Sequence, residues 1–500
     1  MNSKVKIKQH AKPLIRIGHA EGLIVALPTG HGKARWPLFP YSDVLQKRLA
    51  RRPQQDCTLT PFVTDLPDTT GTPLALATVD ATITSFELLT LARKLTAAAM
   101  TANPHSLTLC LAGLSTPLAA RAAEALVAAL LAASQPLPHF KSKKDKPLKL
   151  AVLEIYGLSQ KVDFSRSFAE AAGNNLARYL TALPPNELTP ALYRQRIATL
   201  AKQHGWRMEF LDRKKLKRLK AGAFLAVAQG SSVADAGIVH LRYTPTTRKP
   251  KPALALVGKG ICFDTGGTNL KPAKHMYGMH EDMEGSAVAL GTLLALSELK
   301  VDFPVHCWLA LAQNHIGPNA YKQNDVVRAS NGISIEIVHT DAEGRMVLAD
   351  TLALACKRKP ALLIDYATLT GTCVYALGTT YSGAFTNRPN LIPTIMESGR
   401  ASGERVWPFP MDKDYDTQLE SKVADIKQCS SEGEADHILA ARFLNRFVDK
   451  TIPWVHIDLS SGNHKGGLAH IPTDITGFGV RLSLNLLLEQ NVLTLPHGKS

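Results

Sequence analysis

The segment Val338–Arg345 places two carboxylates and a guanidinium at alternate positions, as Asp341, Glu343 and Arg345. It follows the alternating apolar run 333–337, which is typical of a strand. Because alternate side chains of an extended chain point to the same side, we expect these three groups to converge. Two carboxylates held close together repel each other unless a proton or a cation separates them.

A divalent cation is one solution to that repulsion, since oxygen ligands suit magnesium, manganese and zinc. A solvated acidic turn that caps a helix is an equally good interpretation of these eight residues alone. The choice between a metal site and a capped turn therefore depends on the rest of the chain.

A second group of charged residues lies upstream, beside the apolar run Ala253–Val257, which predicts a buried strand. Glycines follow this run and allow tight turns, so Lys259 and Asp264 are expected on a loop at the strand end. Lys271 and Asp282 come next, before an apolar periodicity that predicts a helix.

Three other interpretations apply to this upstream region. Gly258 and Lys259 are reminiscent of a phosphate-binding loop, but Gly260 stands where such loops carry Ser or Thr. His275 and His280 do not share a helix face, and the sequence contains no His-Glu-x-x-His zinc motif. Finally, the lysines and aspartates can form structural ion pairs, because a salt-bridge cluster uses the same acids as a metal site.

Together these motifs resemble the leucyl aminopeptidase family (cytosol aminopeptidases, peptidase family M17). Each position that the family uses for metal binding and catalysis carries the expected residue. The motifs lie at 257–267, 271–272, 282–283 and 340–345, with further similarity at 180–190, 367–371 and 424–427. The resemblance implies hydrolysis of the N-terminal residue from peptides or dipeptides.

The resemblance also implies two divalent metal ions per subunit, manganese or zinc, with magnesium as a further option. One ion would be held by Lys259, Asp264, Asp282 and Glu343, and the other by Asp264, Asp341 and Glu343. A lysine can ligate only as a neutral amine, so the metals must strongly lower the pKa of Lys259.

In the implied mechanism, a water or hydroxide that bridges the metals attacks the first peptide carbonyl. The free α-amine of the substrate binds one metal, which explains the restriction to unblocked N-termini. Lys271 would stabilise the oxyanion. Arg345 would hold a bicarbonate ion that serves as the base, because a guanidinium suits a planar anion.

Two features depart from the family pattern. His339 stands where the family usually has Asn, close enough in sequence to Asp341 to affect the metal site. The turn that follows strand 454–459 is more polar than expected, so leucine need not be the best substrate. The predicted substrate pocket comprises Met279, Thr368, Leu369, Gly371, Ser460 and Asn463.

A chain of 500 residues with 45% hydrophobic content is long enough for two domains. Strand and helix patterns alternate, which predicts two α/β domains, the larger C-terminal one built on a mostly parallel sheet flanked by helices. We expect an N-terminal domain at 1–162 and a catalytic domain at 163–500, with a connecting helix at 163–182. The strands are predicted at 22–27, 74–79, 107–111, 150–155, 238–243, 253–257, 306–311, 361–366 and 454–459.

The sequence has no apolar run that approaches the length of a membrane span, and its N-terminus lacks a secretory core. Its seven cysteines are scattered, without Cys-x-x-Cys spacing, and are predicted to be buried thiols. A cytoplasmic location is therefore expected. The family resemblance implies a homohexamer.

The net charge of +16 raises the alternative of a DNA-binding or scaffold member of the fold, with peptidase activity secondary. Residues 1–56 contain 11 basic and 3 acidic residues, and further basic runs lie at 141–146 and 213–218. No nucleic-acid recognition motif accompanies them, and charged runs are more often solvated loops. A serine hydrolase is excluded by the lack of Gly-x-Ser-x-Gly.

Overall fold

The computed structural model of the protein describes residues 5–18, 20–30, 36–52, 55–143, 148–247 and 251–494. The chain forms two compact units. The first comprises Met1–Ala171 and Lys465–Asp474, and the second comprises Ala172–His464 and Ile475–Ser500. The domain boundary after residue 162 remains a prediction.

A six-stranded sheet organises the described part of the first unit. Its strands, β1 to β6, are Lys6–His10, Leu23–Pro28, Phe62–Asp65, Pro73–Val79, Ser106–Leu111 and Val152–Tyr156. In the order β1-β6-β5-β2-β4-β3, all neighbours are parallel except β3, which is antiparallel to β4. The four predicted strands are β2, β4, β5 and β6. The sequences of β1 and β3 are too polar to show a strand pattern.

Three helices lie in the described part of this unit. They are α1 (Ser42–Ala50), α2 (Ser85–Met100) and α3 (Thr116–Ala133). Helix α3 is long and apolar enough to cross a membrane by length and composition alone, although Arg121 and Glu124 interrupt its apolar run. Of the 18 residues of this helix, 67% are buried, and its leucines belong to the core of the first unit. Helix α3 is therefore a core helix.

The segment Lys465–Asp474 completes the first unit from far along the chain. Ala469 is buried in the core of that unit. Arg93 on α2 donates a hydrogen bond from Nε to the carbonyl oxygen of Ala469 at 2.9 Å and another from Nη1 to that of Gly466.

The strands of the second unit, β7 to β17, form one large and one small sheet. They are Arg207–Asp212, Gly237–Tyr243, Leu254–Asp264, Val305–Asn314, Val326–Arg328, Ser334–Glu336, Leu362–Ala367, Ser382–Thr386, Val406–Pro408, Ile426–Lys427 and Trp454–Asp458. The large sheet has the order β15-β14-β17-β13-β9-β10-β8-β7, and the small sheet has the order β11-β12-β16. The central strands β17, β13, β9 and β10 are parallel to one another.

The helices α4 to α14 are Ser165–Thr181, Pro190–His204, Arg213–Arg218, Gly222–Ala228, Ala273–Met276, Glu284–Glu298, Glu343–Cys356, Gly371–Leu377, Ile392–Ser402, Asp436–Asn445 and Val480–Leu484. The change from one compact unit to the other falls within α4, the predicted connecting helix. Helices α9 and α10 are buried along most of their length against the central strands. The predicted α/β class, with a mostly parallel sheet flanked by helices in the larger unit, is confirmed.

Candidate metal centre and active site

Strand β9 carries the first two candidate ligands. Lys259 lies within the strand and Asp264 is its last residue, so the prediction that both lie on a loop is wrong. The strand continues through its glycines, and Gly258 is needed there because the backbone of α9 passes close to it. A Cβ at Gly258 would lie 2.4 Å from the Cα of Ser286.

The acidic octet, residues 338–345, changes its backbone conformation in its middle. Asp341 lies in a turn, whereas Glu343 and Arg345 belong to the first turn of α10. The side chains therefore do not alternate along an extended chain, and that part of the prediction is wrong. Gly344 lets α10 begin against the buried lysine, since a Cβ there would lie 2.6 Å from Cε of Lys259.

The structure nevertheless brings the predicted acids together. Ligand oxygens of Asp264, Asp341 and Glu343 lie within 4.8 Å of one another. The ammonium nitrogen of Lys259 lies 2.7 Å from Oδ1 of Asp282 and 3.0 Å from Oε1 of Glu343. This contact joins the fourth acid to the other three.

Lys271 contacts the two acids of the cluster that Lys259 does not contact. Its nitrogen lies 2.9 Å from Oδ2 of Asp264 and 2.5 Å from Oδ1 of Asp341. The predicted alternative of structural ion pairs thus describes real contacts. The structure shows the ion pairs, and they use the same acids that a metal site would use.

Residues outside the predicted metal ligands hold the acids in place. Asn314 donates from Nδ2 to Oδ1 of Asp264 at 2.8 Å and to the carbonyl oxygen of Thr340 at 3.0 Å. Thr368 donates from Oγ1 to Oδ1 of Asp282 at 2.8 Å. Asn314 comes at the end of β10, a position that no motif marks in the sequence. Its role follows from strand pairing alone.

Burial and mutual repulsion raise the pKa values of Asp282, Asp341 and Glu343 above their usual range, against the nearby lysine charges. Burial opposes the charge of Lys259 and Lys271, but the surrounding carboxylates outweigh it and raise both lysine pKa values. Without cations, the cluster is therefore short of positive charge.

The donor set fits divalent cations. Oδ2 of Asp282 and Oε2 of Glu343 are buried and have no hydrogen-bond partner among the residues that the structure describes. Buried carboxylate oxygens without partners are costly, and a cation would satisfy them. Carboxylates and one amine suit manganese, zinc or magnesium.

Bicarbonate does not fit the arrangement around Arg345. Nη2 of this buried guanidinium donates to both oxygens of Asp436, at 2.8 Å and 2.7 Å. Nη1 donates to the carbonyl oxygen of Gln428 at 3.2 Å. A planar anion would have to displace Asp436 from Nη2, so the sequence-based assignment of bicarbonate to Arg345 is not supported.

Gln428 ties the octet into one unit. It is fully buried, and its Oε1 accepts hydrogen bonds from the backbone nitrogens of Val338 and His339 at 3.2 Å and 3.1 Å. Its Nε2 donates to the carbonyl oxygen of Ala342 at 2.9 Å. Sequence analysis missed this residue, because its partners are distant in sequence.

The four candidate acids, both lysines, Arg345 and Asp436 border one open cleft with a volume of about 960 Å³. The predicted pocket residues border it too, namely Met279, Thr368, Leu369, Gly371, Ser460 and Asn463. Nδ2 of Asn463 donates to Oε2 of Glu281 at 2.9 Å, so this part of the wall is polar. Because Thr368 and Ser460 follow the ends of β13 and β17, the cleft lies at the carboxyl ends of parallel strands.

His339 contacts the site through a hydrogen bond between its side chain and the backbone of Asp341. Its side chain is exposed, and its Nδ1 accepts a hydrogen bond from the backbone nitrogen of Asp341 at 3.3 Å. Partial desolvation and the charge of Lys271 lower the pKa of His339. The neutral imidazole therefore supports the turn that presents Asp341.

Fold and site together define a class of protein. Parallel α/β strands end in a buried cluster of carboxylates and lysines that suits divalent cations. A sequence profile of the cytosol aminopeptidase family, catalytic domain, matches residues 175–484. The chain belongs to the cytosol aminopeptidase family.

Individual relatives agree with this assignment. A probable cytosol aminopeptidase of Persephonella marina is 37% identical over 376 residues, covering 74% of each chain. Another, from Wolbachia pipientis wMel, is 40% identical over 362 residues, covering 70% of this chain and 71% of the relative. A solved structure of a tomato leucine aminopeptidase mutant matches with a TM-score of 0.86 at 30% identity, over 98% of both chains. The resemblance inferred from the motifs is confirmed.

Proposed function

We propose that the protein is a two-metal aminopeptidase that removes the N-terminal residue from peptides or dipeptides. The observation that carries this proposal is the buried cluster of four carboxyls with two unpartnered oxygens, set at the carboxyl ends of β9 and its neighbours. One cation would be held by Lys259, Asp264, Asp282 and Glu343, and a second by Asp264, Asp341 and Glu343. When bound, the ions would supply Lewis acidity and lower the pKa of an attacking water.

The two lysines would then have different tasks. Lys259 is almost completely enclosed, and its nitrogen already touches two of the proposed ligands, which supports a direct role in holding a cation. Lys271 keeps part of its side chain open to the cleft. Its ammonium group would donate to the substrate carbonyl oxygen as negative charge develops there.

The pocket residues support a substrate preference that differs from leucine. Asn463 and Ser460 place an amide and a hydroxyl on the wall, and Asn463 is held by Glu281. An aliphatic side chain offers no partner for the hydrogen-bonding capacity that remains on these groups, which lowers its relative kcat/KM. We therefore expect N-terminal residues with polar side chains to be accepted well.

The experiment that tests the proposal compares Glu343→Ala with the unmodified protein in manganese-supplemented buffer. Hydrolysis of Leu-Gly, Met-Gly and Cys-Gly is measured together with bound metal. We expect metal content and activity to fall together in the variant. Unchanged activity would remove the proposed site from consideration.

Glu336→Gln is a matched control for that experiment. Glu336 lies on β12 shortly before the octet, and its Oε2 accepts a hydrogen bond from Ser421. It does not border the cleft. Metal content and activity should therefore both survive this substitution.

Location, assembly and DNA binding remain proposals. All seven cysteines are buried and unpaired, which accords with a cytoplasmic protein. A homohexamer, checked by light scattering, rests on family membership. For the DNA-binding alternative, residues 144–146 of one basic run lie outside the described residues, whereas the run at 213–218 forms α6. Duplex binding that fails to weaken with salt would argue against it.

A further inference from the structure

The pairing of Arg345 with Asp436 is the least expected contact of the cleft. The arginine side chain is 2% exposed and the aspartate side chain is 25% exposed. Both oxygens of the aspartate lie on the same guanidinium nitrogen, Nη2, at 2.8 Å and 2.7 Å. The carboxylate is thus held on one side and open on the other.

A count of donors shows what this contact leaves to another anion. A guanidinium has five N–H groups. Both oxygens of Asp436 accept from Nη2 and the carbonyl oxygen of Gln428 accepts from Nη1, while Nε has no partner among the described residues. Paired donation to a planar anion needs Nη2 together with a neighbouring nitrogen. The carboxylate of Asp436 already occupies the position that such an anion would take.

The fold holds Asp436 firmly in this position. It is the first residue of α13, and Ala435 before it adopts a left-handed conformation with φ of 51°. A left-handed alanine is strained, so the surrounding contacts must impose this turn. The next residue, His437, donates its backbone N–H to Oγ1 of Thr372 on α11 at 3.0 Å.

Asp436 and Arg345 border the same cleft as the four candidate metal ligands. An anion at this place therefore faces the volume in which the peptide would be cleaved. Its titratable and charged neighbours in the described chain include Arg345, His339, Cys429 and His437, and burial lowers the pKa of His437.

We propose that Asp436 is a resident carboxylate that replaces a borrowed anion at Arg345 and serves as the proton carrier of the reaction. This inference rests on the proposed peptidase function. During hydrolysis the water oxygen bonds to the carbonyl carbon, the carbon–nitrogen bond breaks, and one water proton must reach the leaving amine. Asp436 accepts that proton and returns it to the amine nitrogen, so it ends the cycle as a carboxylate.

A purely structural ion pair is the alternative explanation. An acidic residue in the first turn of a helix is favoured by the helix dipole, and an arginine–aspartate pair can simply fix two helices. A second arginine–aspartate pair provides a matched comparison, because its arginine, Arg442, lies on the same helix α13 as Asp436. Arg442 donates from Nε to Oδ1 of Asp416 at 2.7 Å and from Nη2 to Oδ2 at 2.5 Å. That pair does not border the cleft.

The test measures kcat in bicarbonate-free buffer and again with added bicarbonate or formate. The protein carries Asp436→Ala, Asp436→Asn or Asp416→Asn, and bound metal and thermal unfolding are recorded for each. We expect the unmodified protein to be insensitive to both anions. The two Asp436 variants should lose about 10²- to 10⁴-fold in kcat while keeping their metal, as expected for a lost proton carrier. Added bicarbonate or formate should restore part of the rate of Asp436→Ala.

Other results would overturn the inference. Activation of the unmodified protein by bicarbonate would show that the anion is borrowed after all. An equal loss of kcat in Asp416→Asn, or an Asp436→Ala variant with normal kcat, would leave a structural role only. Inactivity of the unmodified protein with metal bound would instead reject the proposed peptidase function, so the two failures are distinguishable.

Discussion

The carboxylate cluster and the Arg345–Asp436 pair border the same cleft but balance charge differently. The cluster sets four carboxyls against two lysines, so fully ionised acids would exceed cations by two (four minus two). The pair sets one carboxylate against one guanidinium, with both oxygens satisfied.

The difference separates two kinds of ionic site. In the cluster, burial and repulsion raise the carboxyl pKa values and two oxygens remain without partners among the described residues. Under the proposed function, such a site is completed by an external cation. In the pair, the carboxylate of Asp436 already balances the charge of the guanidinium, so charge balance needs no external ion. Each of the following predictions breaks or sharpens this contrast.

The largest effect is expected from Lys271→Met, which removes the cation that faces the cleft. Loss of one preorganised oxyanion donor should lower kcat about 10²- to 10³-fold. The metal content should persist, because Lys271 is not among the proposed ligands. Steady-state kinetics with parallel metal analysis checks both statements, and a kcat within a few-fold of the original would contradict the assigned role.

Cation binding should stabilise the folded protein, since only the folded cluster presents all ligands. Manganese at about 100 times its Kd should add about 2.7 kcal/mol to the free energy of unfolding. Asp282→Asn should abolish this increment, whereas Asp436→Asn should retain it. Chemical denaturation with and without manganese provides the measurement. Equal increases in the free energy of unfolding in both variants would contradict the proposed difference between the cluster and the pair.

Asn314→Ala should weaken metal binding without removing a ligand. The variant loses the hydrogen bond that orients Asp264. Removing a residue that hydrogen-bonds to a metal ligand typically lowers metal affinity by about 10- to 100-fold. Competition with a metal-sensitive dye would report the change. The matched substitution Asn387→Ala, at a residue outside the cleft, should leave affinity unchanged.

The last prediction concerns the pH dependence of stability. Burial raises the pKa of Glu284 from 4.5 to about 8, with the charge of Glu281 as a further cause. The folded protein then binds more protons than the unfolded chain between these values, so metal-free stability should fall as pH rises from about 4.5 to about 8. The limiting slope for one such group is about 1.4 kcal/mol per pH unit. Glu284→Gln should flatten the curve, and an unchanged slope in denaturant titrations would count against this explanation.

Much of the site could be predicted from the sequence because its candidate ligands lie in short sequence motifs. Lys259, Asp264, Asp341 and Glu343 were assigned correctly to one cluster, although two of the local conformations were wrong. Glycines suggested a loop where β9 continues, since only the tertiary packing of α9 shows why small residues are needed there.

The contacts that escaped prediction are those between distant segments. Asp436 and Gln428 meet Arg345 from the region between β16 and α13, and neither belongs to a recognisable motif. Pairing of an arginine with one acid among 42 in the chain cannot be read from spacing. It depends on where the fold brings the start of α13.

The return of Lys465–Asp474 to the first unit has a consequence for how the chain is made. During synthesis from the N-terminus, the first unit cannot bury Ala469 or satisfy Arg93 until nearly the whole chain has left the ribosome. A fragment ending at Ala171 would lack those contacts, and hydrogen exchange on α2 should reveal its loosened state. The first unit to begin synthesis is thus among the last to be completed.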